Sequence, residues 1–170
     1  DVGITVDSAV DAAKQTASIV LLDESLDAVA EGVLLGRRTF ANTLKYLRVT
    51  TSANFGNMLS MAVAAVVLPF LPLLPRQILL LNFLSDIPAM AIAGDTVDQS
   101  QLDAPRAWRL RSLVRFMLVY GALSSAFDLA TFAVLRLVFE TDEVTFRSSW
   151  FVVSTLTELA VLFVLRTNRP

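Results

Sequence analysis

Residues 49–75 form a stretch of 27 residues without a formal charge, and this stretch constrains the fold more than any other feature of the sequence. About 20 apolar residues are enough for a helix to cross the hydrocarbon core of a bilayer. The 170-residue chain is 55% hydrophobic and only 18% charged, which is too apolar for an ordinary soluble domain. The sequence therefore predicts a protein with several membrane-spanning segments.

Three further apolar segments follow the first, and each contains a single carboxylate, namely Asp86, Asp128 or Glu158. Pro69, Pro72 and Pro75 separate the first two segments, because proline ends a helix and favours a short loop. We therefore expect a mainly α-helical, polytopic membrane protein. Its four transmembrane helices are predicted at about residues 49–74, 77–94, 112–139 and 148–165.

The residues before the first apolar segment have a different character. Short β-branched runs at residues 2–6 and 18–22 flank a helical pattern at residues 8–16, and Ser8 and Asp11 have the spacing of a capping box. From Ser25 the pattern is helical, and no proline occurs before Pro69. We predict a small α/β segment over residues 1–24, a stalk helix over residues 25–48 and a membrane domain over residues 49–170.

Charge and residue counts exclude several classes of function. The 14 basic and 16 acidic residues are spread along the chain and give a net charge of −2, so we expect no nucleic-acid partner. The sequence contains no cysteine and no histidine, which excludes disulfides, Cys/His zinc sites and Ser-His-Asp triads within this chain. Any metal ion must therefore be held by oxygen ligands.

The basic residues also predict the orientation in the membrane. Eleven of the 14 fall before the first helix, between the second and third, or after the fourth. Because loops rich in Lys and Arg face the cytoplasm, we expect both termini to be cytoplasmic in the cell membrane. The basic residues on that side are Lys14, Arg37, Arg38, Lys45, Arg48, Arg106, Arg109, Arg111, Arg115, Arg166 and Arg169.

Ionisable residues inside spanning helices are the first candidates for a functional site, since each costs about 2.5–3.5 kcal/mol to insert even on lenient scales. Asp86 has the strongest case, because Asn82 and Ser85 lie on the preceding turn and Pro88 is expected to break the helix just beyond. A broken helix exposes backbone carbonyls at membrane depth, an arrangement that transporters use to bind cations.

The first membrane helix offers a second group of oxygens. Asn54 and Asn57 are three residues apart and share a helix face, with Gly56 between them. Two amides and one or two carboxylates suit a hard divalent cation such as Mg²⁺ or Ca²⁺. The same residues would also make an ordinary hydrogen-bonded seam between helices, and that alternative stays open. Trp150, at the start of the fourth helix, is expected in an interfacial aromatic belt.

Five segments resemble the P-type cation-transporting ATPases, and within them the magnesium-transporting branch. The opening DVGITVDSAVDAAKQTASIVLL resembles the end of the phosphorylation domain, and GRRTFANTLKYLRVTTSANFGN resembles the stalk and fifth membrane helix. LPFLPLLPRQILLLNFLSD resembles the sixth helix, while RFMLVYGALSSAFD and SSWFVV resemble the seventh and eighth. The resemblance covers essentially the whole chain.

This resemblance implies roles for individual residues. Asn54 and Asn57 match cation-site positions of the fifth helix, and Asn82, Ser85 and Asp86 match those of the sixth. Two further carboxylates complete the candidate metal site. Asp128 matches an aspartate of the magnesium branch, and Glu158 stands where some calcium-pump relatives carry a carboxylate, whereas the magnesium branch tends to carry an amide.

The resemblance further implies that residues 1–24 are the remnant of a HAD-like phosphorylation domain and that the chain is a fragment. The phosphorylated aspartate, in a DKTG motif, and the ATP-binding domain would then lie upstream. Neither a DKTG motif nor a glycine-rich phosphate loop occurs in these residues. The implied partners are the lipid bilayer, ATP through the upstream domains, and Mg²⁺ as transported ion and as companion of ATP. The alternatives are a pump for calcium or protons, and a non-catalytic membrane module whose carboxylates only hold helices together.

Overall fold

The computed structural model describes residues 2–23 and 25–165, so Arg166 and Arg169, on which the predicted orientation partly rests, lie outside the described residues. The chain divides into two compact units, Asp1–Arg37 and Arg38–Pro170. The division falls inside the segment predicted as a stalk. It also falls inside helix α2, which covers Leu26–Val67. The helix is continuous up to the residues just before Pro69, as the absence of an earlier proline predicted.

The first unit contains the predicted strand, helix and strand. Strands β1 (Ile4–Val6) and β2 (Ile19–Leu21) pair in parallel, and helix α1 (Asp11–Thr16) connects them. The predicted capping box is wrong, because α1 begins at Asp11 and its N-cap residue is Val10, without a side-chain hydrogen bond to the first turn.

The second unit is helical throughout its regular structure. After α2 it contains α3 (Pro75–Met90), a 3₁₀ turn (Ala91–Gly94), α4 (Gln99–Leu102), α5 (Leu110–Ala133), a π-helical turn (Val134–Val138) and α6 (Glu143–Leu165). Helix α2 ends seven residues before the expected position, since a residue that precedes proline, here Leu68, is disfavoured in helical conformation. Helix α6 begins five residues before its expected start.

Within the described residues, three segments are long and apolar enough to cross a membrane: Pro75–Gly94, Leu110–Val138 and Glu143–Val164. They confirm a mainly helical membrane protein with several spans. The second half of α2 is not among them, because Asn54, Asn57 and several hydroxyl side chains lower its hydropathy. Its crossing stays a prediction.

Helix α3 does not break at Pro88, contrary to our expectation. The α-helix continues to Met90 and then tightens into the 3₁₀ turn. Proline lacks the N–H group that would donate to the carbonyl of Leu84, so this carbonyl loses its helical partner although the helix continues. Beyond the turn, Asp95 forms a buried ion pair with Lys45 of α2 at 3.2 Å, which fixes the end of α3 against α2.

The largest apolar core lies between α2, α3, α5 and α6. Phe146 and Trp150 of α6 are fully buried there, and the Trp150 ring meets the Phe132 ring edge to face at 4.6 Å between centroids. The predicted interfacial position of Trp150 is therefore wrong. Because α6 begins at Glu143, Trp150 lies two turns inside the helix rather than at its end.

Two glycines allow α2 and α5 to approach closely. A Cβ atom added to Gly56 would lie 3.0 Å from the carbonyl oxygen of Gly121 and 3.0 Å from Cβ of Ser124. A Cβ atom added to Gly121 would lie 3.1 Å from the carbonyl oxygen of Ser52. Backbone atoms cannot move aside as a side chain can, so any larger residue here separates the two helices.

We expect Gly56→Ala to destabilise the protein by about 1–3 kcal/mol through this overpacking. Gly36→Ala is the matched control on the same helix, since a Cβ atom there meets nothing within 4 Å among the described residues. It should be neutral or stabilising by up to about 1 kcal/mol, because alanine has the higher helix propensity. Thermal unfolding in detergent measures both, and equal melting temperatures for the two variants would contradict the close contact.

Candidate functional site

A polar cavity of about 140 Å³ lies between α2, α3 and α6. The volume is large enough for a cation together with several water molecules. Five of the seven candidate site residues line this polar cavity: Asn54, Asn82, Ser85, Asp86 and Glu158. The apolar part of the wall includes Val49, Ala89 and Leu162, which are buried and pack together.

Glu158 joins the three helices at the polar cavity. Its carboxylate oxygen Oε1 accepts a hydrogen bond from the side-chain amide of Asn57 on α2. The other oxygen, Oε2, accepts one from the hydroxyl of Ser85 on α3. Hydrogen bonds to a carboxylate are stronger than neutral ones, and a buried carboxylate without them is costly. Asn57, the sixth candidate, therefore reaches the site through Glu158.

The Asn57 amide is held at both ends, which fixes its orientation. Its Nδ2 group donates to Glu158, and its Oδ1 atom accepts a hydrogen bond from the Ser154 hydroxyl at 3.3 Å. Ser154 and Glu158 lie one turn apart on α6, so one asparagine bridges two successive turns of that helix. This arrangement leaves neither end of the amide free to flip.

Asp86, Asn54 and Asn82 are exposed in the polar cavity, in contrast to the half-buried Glu158. Their side chains make no hydrogen bond or ion pair within residues 2–23 and 25–165. The same residues contain no group of three or more carboxylates that could hold a metal ion. A cation here would be bound by two carboxylates, by amide and hydroxyl oxygens, and by the waters that a small divalent ion retains.

Asp128, the seventh candidate, lies in a separate group of side chains. Its oxygen Oδ2 accepts a hydrogen bond from Ser60 at 2.6 Å, and Oδ1 accepts one from the Trp150 indole N–H at 3.0 Å. Ser60 also lies 3.0 Å from the hydroxyl of Ser125. We call these four residues the Asp128 cluster. Asp128 does not line the polar cavity.

Sequence reasoning missed Ser60, Ser125, Trp150 and Ser154 as partners of the candidate carboxylates. A signal existed for three of them. Trp150 and Ser154 precede Glu158 by eight and four residues and so share its helix face. Ser60 likewise follows Asn57 by three residues. This spacing did not single them out, because serine and tryptophan in a membrane helix also have ordinary packing roles.

Residues 70–170 match the family model described as the C-terminus of cation-transporting ATPases, and this match covers more than half of the chain. The chain belongs to the cation-transporting ATPase family. The resemblance found in the sequence is thereby confirmed at the level of the family. The matched region includes α3, α5 and α6, and two of these helices, α3 and α6, provide Asn82, Ser85, Asp86 and Glu158 to the polar cavity.

Individual relatives extend the comparison to the N-terminal part of this chain. A magnesium-transporting ATPase, P-type 1, of Escherichia coli K12 is 46% identical over 99% of this chain, and one from Salmonella typhimurium LT2 is 43% identical over 99%. The chain spans 19% of the length of each. A calcium-transporting ATPase of Bacillus subtilis strain 168 is 34% identical over 56% of this chain and 11% of its own length.

We expect Asn57→Ala to destabilise the protein by about 1–3 kcal/mol, because Glu158 loses a hydrogen-bond donor in a partly buried position. Asn54→Ala, one turn earlier on the same helix, removes an exposed amide and should change stability by less than about 0.5 kcal/mol. Thermal unfolding of the two variants in the same detergent makes the comparison. A similar loss for both would show that the Asn57–Glu158 hydrogen bond contributes little.

Proposed function

We propose that this chain forms the C-terminal membrane part of an ATP-driven P-type pump and that its polar cavity binds the transported cation, Mg²⁺. The observation that carries the proposal is the meeting of Asn54, Asn82, Asp86 and Glu158 at one cavity between three helices. The magnesium-transporting relatives, which match over 99% of the chain, support the choice of cation.

The chemistry of the polar cavity suits a magnesium ion. All of its polar side chains offer oxygen ligands, which hard cations prefer, and this chain contains neither cysteine nor histidine. Asp86 and Glu158 together would neutralise the two positive charges. Mg²⁺ dehydrates reluctantly and keeps several waters, so a sparse set of protein ligands in a cavity with room for water is sufficient.

The ATP chemistry belongs to parts of the pump outside these residues. An aspartyl phosphate formed there splits ATP hydrolysis into two steps, and each step can be controlled by whether the cation site is occupied. Mg²⁺ would also accompany ATP in those domains. Because α2 carries Asn54 and Asn57, any displacement of this helix changes the ligands of the polar cavity, and we propose that it couples the two processes.

Calcium is the second candidate cation, and Glu158 is the observation that favours it. Its carboxylate on α6 is a fourth acidic or amide side chain at the polar cavity, beside Asn54 of α2 and Asn82 and Asp86 of α3. Ca²⁺ takes more oxygen ligands than Mg²⁺. The calcium-transporting relative supports this candidate over a shorter part of the chain.

In the full-length protein, Asp86→Asn should raise the half-saturating cation concentration for ATPase stimulation by about 10–150-fold, the equivalent of about 1.5–3 kcal/mol for one charged contact. The change keeps the side-chain volume and removes only the charge. Asp103→Asn, in the exposed loop before α5, is the matched control and should leave stimulation unchanged. Normal stimulation in Asp86→Asn would rule out the cation site.

Transport into sealed vesicles separates the two cations. MgATP is supplied outside inverted vesicles, where the ATP-hydrolysing domains are exposed. A magnesium pump then moves Mg²⁺ across the vesicle membrane even when Ca²⁺ is chelated. A calcium pump requires added Ca²⁺ on top of saturating MgATP. Coupled movement of neither ion, with the wild-type protein folded, would favour a non-catalytic membrane module.

We further propose that α2 crosses the cell membrane, with both ends of the chain on the cytoplasmic side. Because this chain has no cysteine, Leu71→Cys and Ala104→Cys introduce probes at exposed loop positions before α3 and before α5. In a full-length protein cleared of other cysteines, an impermeant maleimide should label Leu71→Cys from outside intact cells and Ala104→Cys only in inverted vesicles. The reverse pattern would contradict the proposed combination of a crossing α2 and cytoplasmic chain ends.

A further inference from the structure

The Asp128 carboxylate is buried and has both of its oxygens occupied by donors from other helices. Oδ2 accepts from Ser60 of α2 and Oδ1 accepts from Trp150 of α6, and the residue is only 4% exposed. Glu158 also has donors on both oxygens, but it lines the polar cavity, where a cation can approach it. A cation at Asp128 would have to displace Ser60 or Trp150 or share the carboxylate oxygens with them. Asp128 does not line the polar cavity.

The two donors lie beside residues of the polar cavity along their own helices. Ser60 follows Asn57 by three residues on α2, and Trp150 precedes Glu158 by eight residues on α6. At about 100° per residue, Trp150, Ser154 and Glu158 fall within about 80° around the α6 axis. A rotation of α6 that separates Trp150 from Asp128 therefore also moves Glu158 away from Asn57.

We propose that Asp128 is a positioning residue for the cation site, which fixes the rotation of α2 and α6 so that Asn57 and Glu158 meet. The inference rests on the proposed function. Asp128 would act on the cation site through Ser60 and Trp150 and would not contact the cation itself. Asp128, on α5, thereby brings a fourth helix into the geometry of a cavity that only α2, α3 and α6 line.

The chemistry of the carboxylate suggests a variant that separates positioning from binding. With Asp128→Asn, the remaining oxygen still accepts from Trp150, and the new amide group can donate to the Ser60 oxygen. The Ser60 hydroxyl can then donate to the carbonyl of Gly56, which already lies 2.9 Å away. The amide variant therefore keeps the links between the helices and loses only the negative charge.

The experiment measures cation-stimulated ATPase of the full-length protein, with half-saturating cation concentration as the readout. For Asp128→Asn, the half-saturating concentration should stay within about threefold of the wild-type value. Asp128→Ala should raise it about 10–100-fold, because loss of the hydrogen bonds that orient metal ligands typically weakens metal binding by that factor. Trp150→Phe keeps an aromatic ring but removes the indole N–H donor. It should therefore raise the half-saturating concentration, as Asp128→Ala does.

Phe132→Leu is the control for a merely structural effect. It removes packing against the Trp150 ring and leaves the hydrogen bonds of the Asp128 cluster in place. It should lower the melting temperature without raising the half-saturating concentration. If Asp128→Asn raises the half-saturating concentration as much as Asp86→Asn does, the carboxylate itself is needed as a ligand and the proposal is overturned. It is also overturned if Asp128→Ala and Trp150→Phe lower only the melting temperature.

A second measurement keeps the proposal separate from the pump assignment. Trp150→Phe and Glu158→Gln are combined, and the melting temperatures of the wild type, both single variants and the double variant are compared. Positioning predicts that the double variant loses less than the sum of the single losses, although the two side chains do not touch. Additive losses overturn the positioning role even if stimulation is normal, whereas a wild type without cation stimulation overturns only the proposed function.

Discussion

The arrangement of the membrane helices depends on the hydrogen bonds that hold the Glu158 carboxylate. A carboxylate removed from water is tolerated only where donors replace its hydration. Glu158 obtains one donor from α2 and one from α3, through Asn57 and Ser85, so a single side chain of α6 requires two other helices to stay in place. The polar cavity is the space that remains among these three helices. Its shape follows from a requirement of solvation and not from apolar packing alone.

The two groups of polar side chains, the Asp128 cluster and the lining of the polar cavity, differ in how far their hydrogen-bonding capacity is used. In the Asp128 cluster both carboxylate oxygens have donors, and such a network stiffens the contact between helices. In the polar cavity, Asp86, Asn54 and Asn82 face open space. The cation site proposed at the polar cavity needs oxygens without donors, and Asp86, Asn54 and Asn82 provide them beside the hydrogen-bonded Glu158 carboxylate. A site that must hold its shape needs the opposite, and the chain places the two side by side.

Much of this organisation could be predicted from the sequence, because it depends on local periodicity. Apolar runs located α3, α5 and α6, and helical spacing placed Asn54 near Asn57 and Asn82 near Asp86. Periodicity does not show which faces of different helices meet, since those contacts join residues between 22 and 101 positions apart. The Ser60–Asp128 and Trp150–Asp128 hydrogen bonds were missed for this reason. Helix ends were also misplaced, and a start of α6 at Glu143 moved Trp150 from the expected interface into the core.

One face of α6 carries Trp150, Ser154 and Glu158 at intervals of four residues, while Val152, Leu156 and Phe163 on its other faces are exposed. Trp150 donates to Asp128 on α5, Ser154 and Glu158 both bond to Asn57 on α2, and Glu158 also accepts from Ser85 on α3. An insertion or deletion of one residue between Trp150 and Glu158 would turn the remainder of α6 by about 100°. All partners on one side of the change would then be lost together. Over evolutionary time this helix can therefore exchange its exposed apolar residues freely, but it can scarcely change its length between Trp150 and Glu158.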